Sequence, residues 1–135
     1  MNLQEFLNNN IVEGATTEVA ISERLKDENG NLYKFKIKAL SMPEIDSLRK
    51  RFSSKDKRGN SNLDICKYNA NICIIGTIYP SFKDAESIEK TKSVTAENYL
   101  YKVLKAGEIT KLADKIFEFS GYRQDINELV EEAKN

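Results

Sequence analysis

The chain contains no histidine. That absence removes Ser-His-Asp and Cys-His catalysis together with the common zinc sites. Cysteine is scarce, with only Cys66 and Cys73, and without a supporting histidine these two cannot complete a tetrahedral metal site. Phosphate-binding glycine signatures of the GxGxxG and Walker A types are missing as well. No apolar run approaches the ~18 residues needed to span a bilayer. The first residues, MNLQEFLNNNIVEG, lack the basic start and apolar core of a signal peptide, so the expected location is the cytoplasm. Net charge is absent too: 21 Lys and Arg balance 21 Asp and Glu, leaving no overall field to draw in nucleic acid or acidic membranes. The expectation is a non-enzymatic protein with no catalytic, cofactor-binding or metal-binding residues.

What is present suits an ordered globular chain. At 135 residues, 40% hydrophobic and 31% charged, it is long enough to bury roughly two-thirds of its unfolded surface in one domain, 1–135. The clearest local signal lies between residues 17 and 40. Tyr33, Phe35, Ile37 and Ala39 alternate with Lys34, Lys36 and Lys38, a period of two with one apolar face. Val19, Ile21 and Leu25 give a weaker version upstream. Between them, Asp27-Glu28-Asn29-Gly30 marks a hairpin turn. A two-residue loop would set Ile21 against Lys38 and put the apolar residues on opposite faces. A three-residue loop, with Asp27 opening a type I turn and Gly30 in the left-handed position, sets Ile21 against Ile37, Leu25 against Tyr33 and Val19 against Ala39. Asp27, Asn29 and Asn31 also mimic the start of a calcium loop. The glycine comes one place early and Lys38 stands where the distal Glu belongs, which favours a turn.

The rest reads as helix. Leu3, Phe6 and Leu7 form a short amphipathic turn or helix that Asn8-Asn9-Asn10 ends. Ser41 caps a helix with Pro43 in its first turn and Glu44 closing a capping box, and Ile45, Leu48 and Phe52 make its apolar stripe. KDKRGNSN, residues 55–62, reads as a mobile surface loop that extends the basic cluster of Arg49, Lys50 and Arg51. Leu63 to Tyr79 is expected to be one helix, apolar on most sides and central, ended by Pro80. It would hold Cys66 and Cys73 about 10.5 Å apart along its axis, too far for a disulfide, as small apolar core residues. A short helix is expected from Asp84 to Lys90. Thr95 caps a helix carrying Leu100, Val103 and Leu104, which Gly107 breaks. Ile109, Leu112, Ala113, Ile116 and Phe117 follow the helical template, with Gly121 as a left-handed cap. Asp125 starts a final helix with Ile126, Leu129, Val130 and Ala133 on one face, its Glu131-Glu132 pair on a solvated surface. The expected fold class is α+β and predominantly helical: an N-terminal β-hairpin at about 17–40, then a bundle of four to six helices over about 42–134.

Three landmarks carry a resemblance. They are Ser22-Glu23-Arg24-Leu25-Lys26-Asp27 with Gly30, running into Phe35-Lys36-Ile37-Lys38-Ala39; Tyr79-Pro80-Ser81-Phe82-Lys83-Asp84-Ala85-Glu86; and Leu104-Lys105-Ala106-Gly107-Glu108, followed by Phe119-Ser120-Gly121-Tyr122. In order and spacing they resemble the XkdN-like tail assembly chaperones of contractile-tailed phages, prophages and phage-tail-like bacteriocins. One departure is SIEKTKSV after Glu86, where the family pattern continues more apolar. The resemblance implies a non-enzymatic protein that binds the tape measure protein, keeps it soluble and helps tail tube subunits assemble around it. Such a protein is absent from the mature particle, and the resemblance leaves self-association open. A chaperone for a long helical client needs apolar or aromatic surface, for which the candidates are Tyr79, Pro80, Phe82, Tyr99, Tyr101 and Tyr122. The competing readings are a structural tail component and a small DNA-binding or regulatory domain, the latter suggested by the helix, Gly107, helix order.

Overall fold

A computed structural model describes residues 2–122, so the expected final helix from Asp125 lies outside the described residues. Helix α1 (Leu3–Asn9) is capped by the Asn2 side chain, which accepts from the Glu5 amide. Strand β1 (Thr16–Val19) pairs antiparallel with β2 (Phe35–Lys38). Helix α2 (Met42–Arg51) starts at the Ser41–Glu44 capping box and buries Ile45 and Leu48. Strands β3 (Ser53–Lys55) and β4 (Ser61–Leu63) form a separate two-stranded sheet. Helix α3 (Ile65–Gly76) leads directly into β5 (Thr77–Tyr79). Helices α4 (Ala85–Lys90), α5 (Ala96–Val103) and α6 (Ala106–Phe119) complete the described chain. The main sheet has the order β1-β2-β5, and α6 packs along α3. Ile37, Ile72, Leu100, Leu112 and Ile116, all fully buried, occupy the core between these layers.

Five sequence expectations are corrected. The 17–40 segment is not one continuous ladder: Val19 pairs with Phe35 and Thr17 with Ile37, so Val19 does not face Ala39 and Ile21 does not face Ile37. The expected register holds only near the turn, where Lys26 bridges Leu32 and the Tyr33 amide donates to the Leu25 carbonyl. Ile21, buried, lies outside the strand. Seven steps along the first arm (Val19 to Lys26) stand against three along the second (Phe35 to Leu32), so four residues are accommodated in a bulge. Four is even, and an even slip keeps each side chain on its own face.

The second correction concerns residues 55–62, which form the β3–β4 turn instead of an irregular loop. The turn repeats the first one residue for residue. Asp27 Oδ1 accepts from the amides of Asn29 and Asn31, and Asp56 Oδ1 from those of Arg58 and Asn60. In both, the glycine amide donates back to the Asp carbonyl, and Gly30 and Gly59 have φ of 84° and 82°. An Asp-x-x-Gly-Asn sequence encodes both turns, since the carboxylate stands in for a backbone acceptor and glycine takes the positive φ. The first Asp carboxylate is thereby committed to its own loop.

Third, the central helix begins at Ile65 and stops at Gly76, with Leu63 in β4 and Thr77–Tyr79 in the main sheet. A Cβ at Gly76 would lie 2.7 Å from Ile116 Cγ2, so glycine permits α3 and α6 to approach here. The β-branched Thr77 and Ile78 then extend beside β2. Fourth, α5 ends at Val103 with Leu104 as its cap and α6 begins after Lys105, leaving Gly107 inside the first turn of α6 and not at the break. Gly121 does cap α6 with φ 91°. Its amide donates to Glu118 O and that of Tyr122 to Phe117 O, the paired bonds of a Schellman end. Cys73 is buried, whereas Cys66 is exposed and not a core residue.

Two neighbouring substitutions should move stability in opposite directions. Gly76→Ala overpacks Ile116 and should destabilise by about 1–3 kcal/mol. The buried Thr77 hydroxyl has no hydrogen-bond partner among the described residues, so Thr77→Val should stabilise by about 1 kcal/mol. Urea midpoints of the two variants against the parent read both.

Candidate functional site

Parts of all three segments that carry the resemblance meet at one end of the main sheet. The first contact is an ion pair between the bulge and α6. Ser22 turns the chain by accepting from the Arg24 amide at its hydroxyl and from the Leu25 amide at its carbonyl. Arg24 then grips Glu108 with two hydrogen bonds, Nη2 to Oε1 at 2.7 Å and Nε to Oε2 at 3.0 Å. Its Nη2 also donates to Val103 O, a carbonyl in the last turn of α5 where a cation is favoured. Glu108 Oε1 accepts from the Lys105 amide as well, so one buried carboxylate closes the start of α6 and holds the bulge.

Beside this clamp lies an apolar groove of about 250 Å³. Leu25 comes from the bulge, Tyr33, Lys34 and Phe35 from the second arm of the hairpin, Tyr79, Pro80 and Phe82 from β5 and beyond, and Tyr99, Val103 and Leu104 from α5 and its end. Phe82 is 1% exposed and packs between Phe35 and Tyr99, with ring centroids 6.4 and 6.1 Å away. These rings are offset or tilted, the arrangement that their quadrupoles favour. Tyr79 and Tyr33, 70% and 58% exposed, stand at the margin. The groove has room for a bulky apolar side chain or two, less than a cofactor-sized pocket requires. Lys34 is its one charged lining residue, and no acid lines it.

Of the six predicted residues, the structure brings together Tyr79, Pro80, Phe82 and Tyr99. Phe82 is buried and supports the groove from within, not as exposed surface. Tyr101 lies apart, in a second depression with Ile65, Cys66, Asn69 and Thr110. Tyr122 covers Phe117 edge-on at 6.0 Å, at the far end of α6. Sequence reasoning missed Leu25 and Tyr33. Alternation assigns both to a buried face, yet they sit past the end of the ladder, where that face opens to solvent. Burial pushes the Cys73 thiol up to about 12, which leaves it un-ionised and inert at neutral pH. Among the described residues no cluster of three or more His, Cys, Asp or Glu could hold a metal ion. No helix of the described residues is long and apolar enough to cross a membrane.

A small α+β protein with an exposed aromatic groove has the makings of a protein-binding module. The chain matches the family described as "Phage XkdN-like tail assembly chaperone protein" over residues 3–134, and it belongs to that family. It is similar to the phage-like element PBSX protein XkdN of Bacillus subtilis (strain 168), 33% identical over 98% of this chain and 93% of that one. The uncharacterized protein YqbN of the same organism matches at the same identity and coverage. The crystal structure of the protein YqbN superposes with a TM-score of 0.68 at 30% identity, covering 90% of this chain and 97% of that one.

The Arg24 clamp predicts an acid dependence. Hydrogen bonds from Arg24, chiefly, with help from the Lys105 amide and the Ser22 hydroxyl, outweigh burial and lower the Glu108 carboxyl from 4.5 to about 2. A carboxylate depressed by folding contributes stability that is complete above its unfolded pKa and disappears as pH falls through the folded one. Wild type should therefore exceed Glu108→Gln in urea midpoint at pH 7. The gap should close between the ordinary 4.5 and about 2, and a gap independent of pH would remove the clamp from the account.

Proposed function

We propose that this protein is the tail assembly chaperone of a contractile tail: it binds the tape measure protein through the groove, keeps it soluble and assists tail tube subunits in assembling around it. The carrying observation is that all three sequence landmarks contribute to one apolar groove: Leu25 from the first, Tyr79, Pro80 and Phe82 from the second, and Leu104 from the third. A tape measure protein is a long helical chain with apolar faces that water disfavours. An open groove with aromatic margins can cover such a face one or two side chains at a time and release it when tube subunits take over. Small apolar contacts of this kind are individually weak, which suits a chaperone that leaves before the particle is complete. The second depression, with Tyr101, is a further candidate contact along the same client. The expected setting is the host cytoplasm.

The test is co-expression with the tape measure protein of the same gene cluster, followed by size-exclusion chromatography. Client that is insoluble alone should co-elute with the chaperone. Tyr33→Ser with Tyr79→Ser, both at exposed positions, should lose most of the soluble complex while leaving the circular dichroism spectrum intact. Phe82→Ser is the wrong probe, because emptying a buried aromatic site costs about 3–5 kcal/mol on its own. Full solubilisation by the double variant would remove the groove from the interaction.

A further inference from the structure

We propose that the groove of one copy receives α1 of a second copy, so that the free protein associates head to tail. The chain carries two apolar surfaces that its own fold does not cover. One is the groove. The other is the N-terminal segment, where Leu3, Phe6, Leu7, Ile11 and Val12 are all more than half exposed and α1 buries no residue. Leu3, Phe6 and Leu7 lie on one face at i, i+3 and i+4, a form of anchor that a groove accepts.

Charge selects the pairing. The exposed N-terminal segment, residues 2–14, includes Glu5 and Glu13 and no Lys or Arg. The groove is the reverse, with Lys34 in its lining and no acid. Lys83 follows Phe82. Lys34 and Lys83 are exposed, and no ion pair is formed by them among the described residues. Two such segments, with acids and no base, disfavour one another, as do two grooves lined by a lysine, whereas segment and groove are complementary.

The same chain's α1 is badly placed for its own groove. The Ala39 amide donates to Ala15 O, and Val12, Glu13 and Gly14 lie against Lys38–Ser41. This anchor is at the far end of β2 from Tyr33, six residues and about 20 Å along the strand. A second copy meets no such restriction. The interface is heterologous, the α1 segment of one copy meeting the groove of another, so it closes into a reciprocal dimer or ring or extends into a chain according to the rotation between copies.

Sedimentation velocity on the full-length protein without any client tests this. The wild-type sedimentation coefficient should rise between about 1 and about 100 µM, the range in which a small apolar anchor saturates its groove. Leu3→Ser/Phe6→Ser/Leu7→Ser removes the anchor, and Tyr33→Ser/Lys34→Glu/Tyr79→Ser spoils the groove. Each variant alone should be monomeric, and an equimolar mixture should form a one-to-one dimer, because the first keeps a groove and the second keeps an α1. A monomeric wild type over that range would overturn the proposal. So would association that needs α1 but not the groove, which means α1 pairing with α1, or a mixture that stays monomeric. If a triple variant loses its circular dichroism spectrum, Lys34→Glu alone replaces it and should weaken wild-type association about tenfold at low salt; no change overturns the pairing. No client is present, so a negative result with the tape measure protein leaves this outcome independent.

Discussion

The interaction on which the rest depends is the clamp of Arg24 on Glu108. It joins two residues 84 positions apart and settles three local questions together. It gives the four extra residues of the first hairpin arm a place to go. It supplies the acid that closes the α6 start, where Lys105 has no short polar side chain to cap with. It also fixes α5 against the hairpin through Val103 O. A buried carboxylate is costly unless its lone pairs are occupied. Here the guanidinium fork and the Lys105 amide occupy them, so the geometry is tightly specified. Without the bulge Leu25 would continue the ladder; with it, Leu25 and Tyr33 end at the mouth of the groove.

The groove itself follows from where elements stop. Strand β2 begins at Phe35, β5 ends at Tyr79, and α5 ends at Val103 with Leu104 as its cap. Each element delivers an apolar side chain at its terminus. Phe82 returns under them and fills the interior with Phe35 and Tyr99. A small core exhausts its capacity at such a convergence, and the aromatic rings past it remain exposed. The result is a shallow opening floored by rigid rings, as binding to a passing segment requires, and not an enclosed chamber.

Much of this was legible in the sequence, and the failures have physical reasons. The caps of α2 and α5 were readable because Ser41 and Thr95 satisfy helix amides locally, with no help from the rest of the fold. Gly121 was readable because a positive φ at a helix end selects glycine. The hairpin register was not, because a period of two cannot distinguish a strand from one slipped by four residues, and the information lay in Arg24 finding Glu108. The helix end at Gly76 was hidden for a similar reason: only the approach of Ile116 shows why glycine is needed there. The β3–β4 turn was legible and overlooked, since Asp56-x-x-Gly59-Asn60 repeats the pattern at Asp27. At the groove, Tyr79, Pro80, Phe82 and Tyr99 were identified as aromatic or flanking residues near helix ends. Burial then divided them into support and surface, a division that composition does not contain.

The distribution of charge gives the two uncovered surfaces a direction. The chain is neutral as a whole, so long-range fields do not drive association; local asymmetry does. An apolar N-terminal segment with two acids and no base, and a groove whose one charged lining residue is a lysine, are complementary to each other and not to themselves. Any client segment that fits the groove therefore competes with α1 for the same contacts. The advantage lies with a long client, which offers many segments on one chain and holds successive chaperones at high local concentration. A free copy of α1 offers one. On this reasoning self-association stores the groove in a covered form that a client displaces by avidity, with no change in the fold of the chaperone.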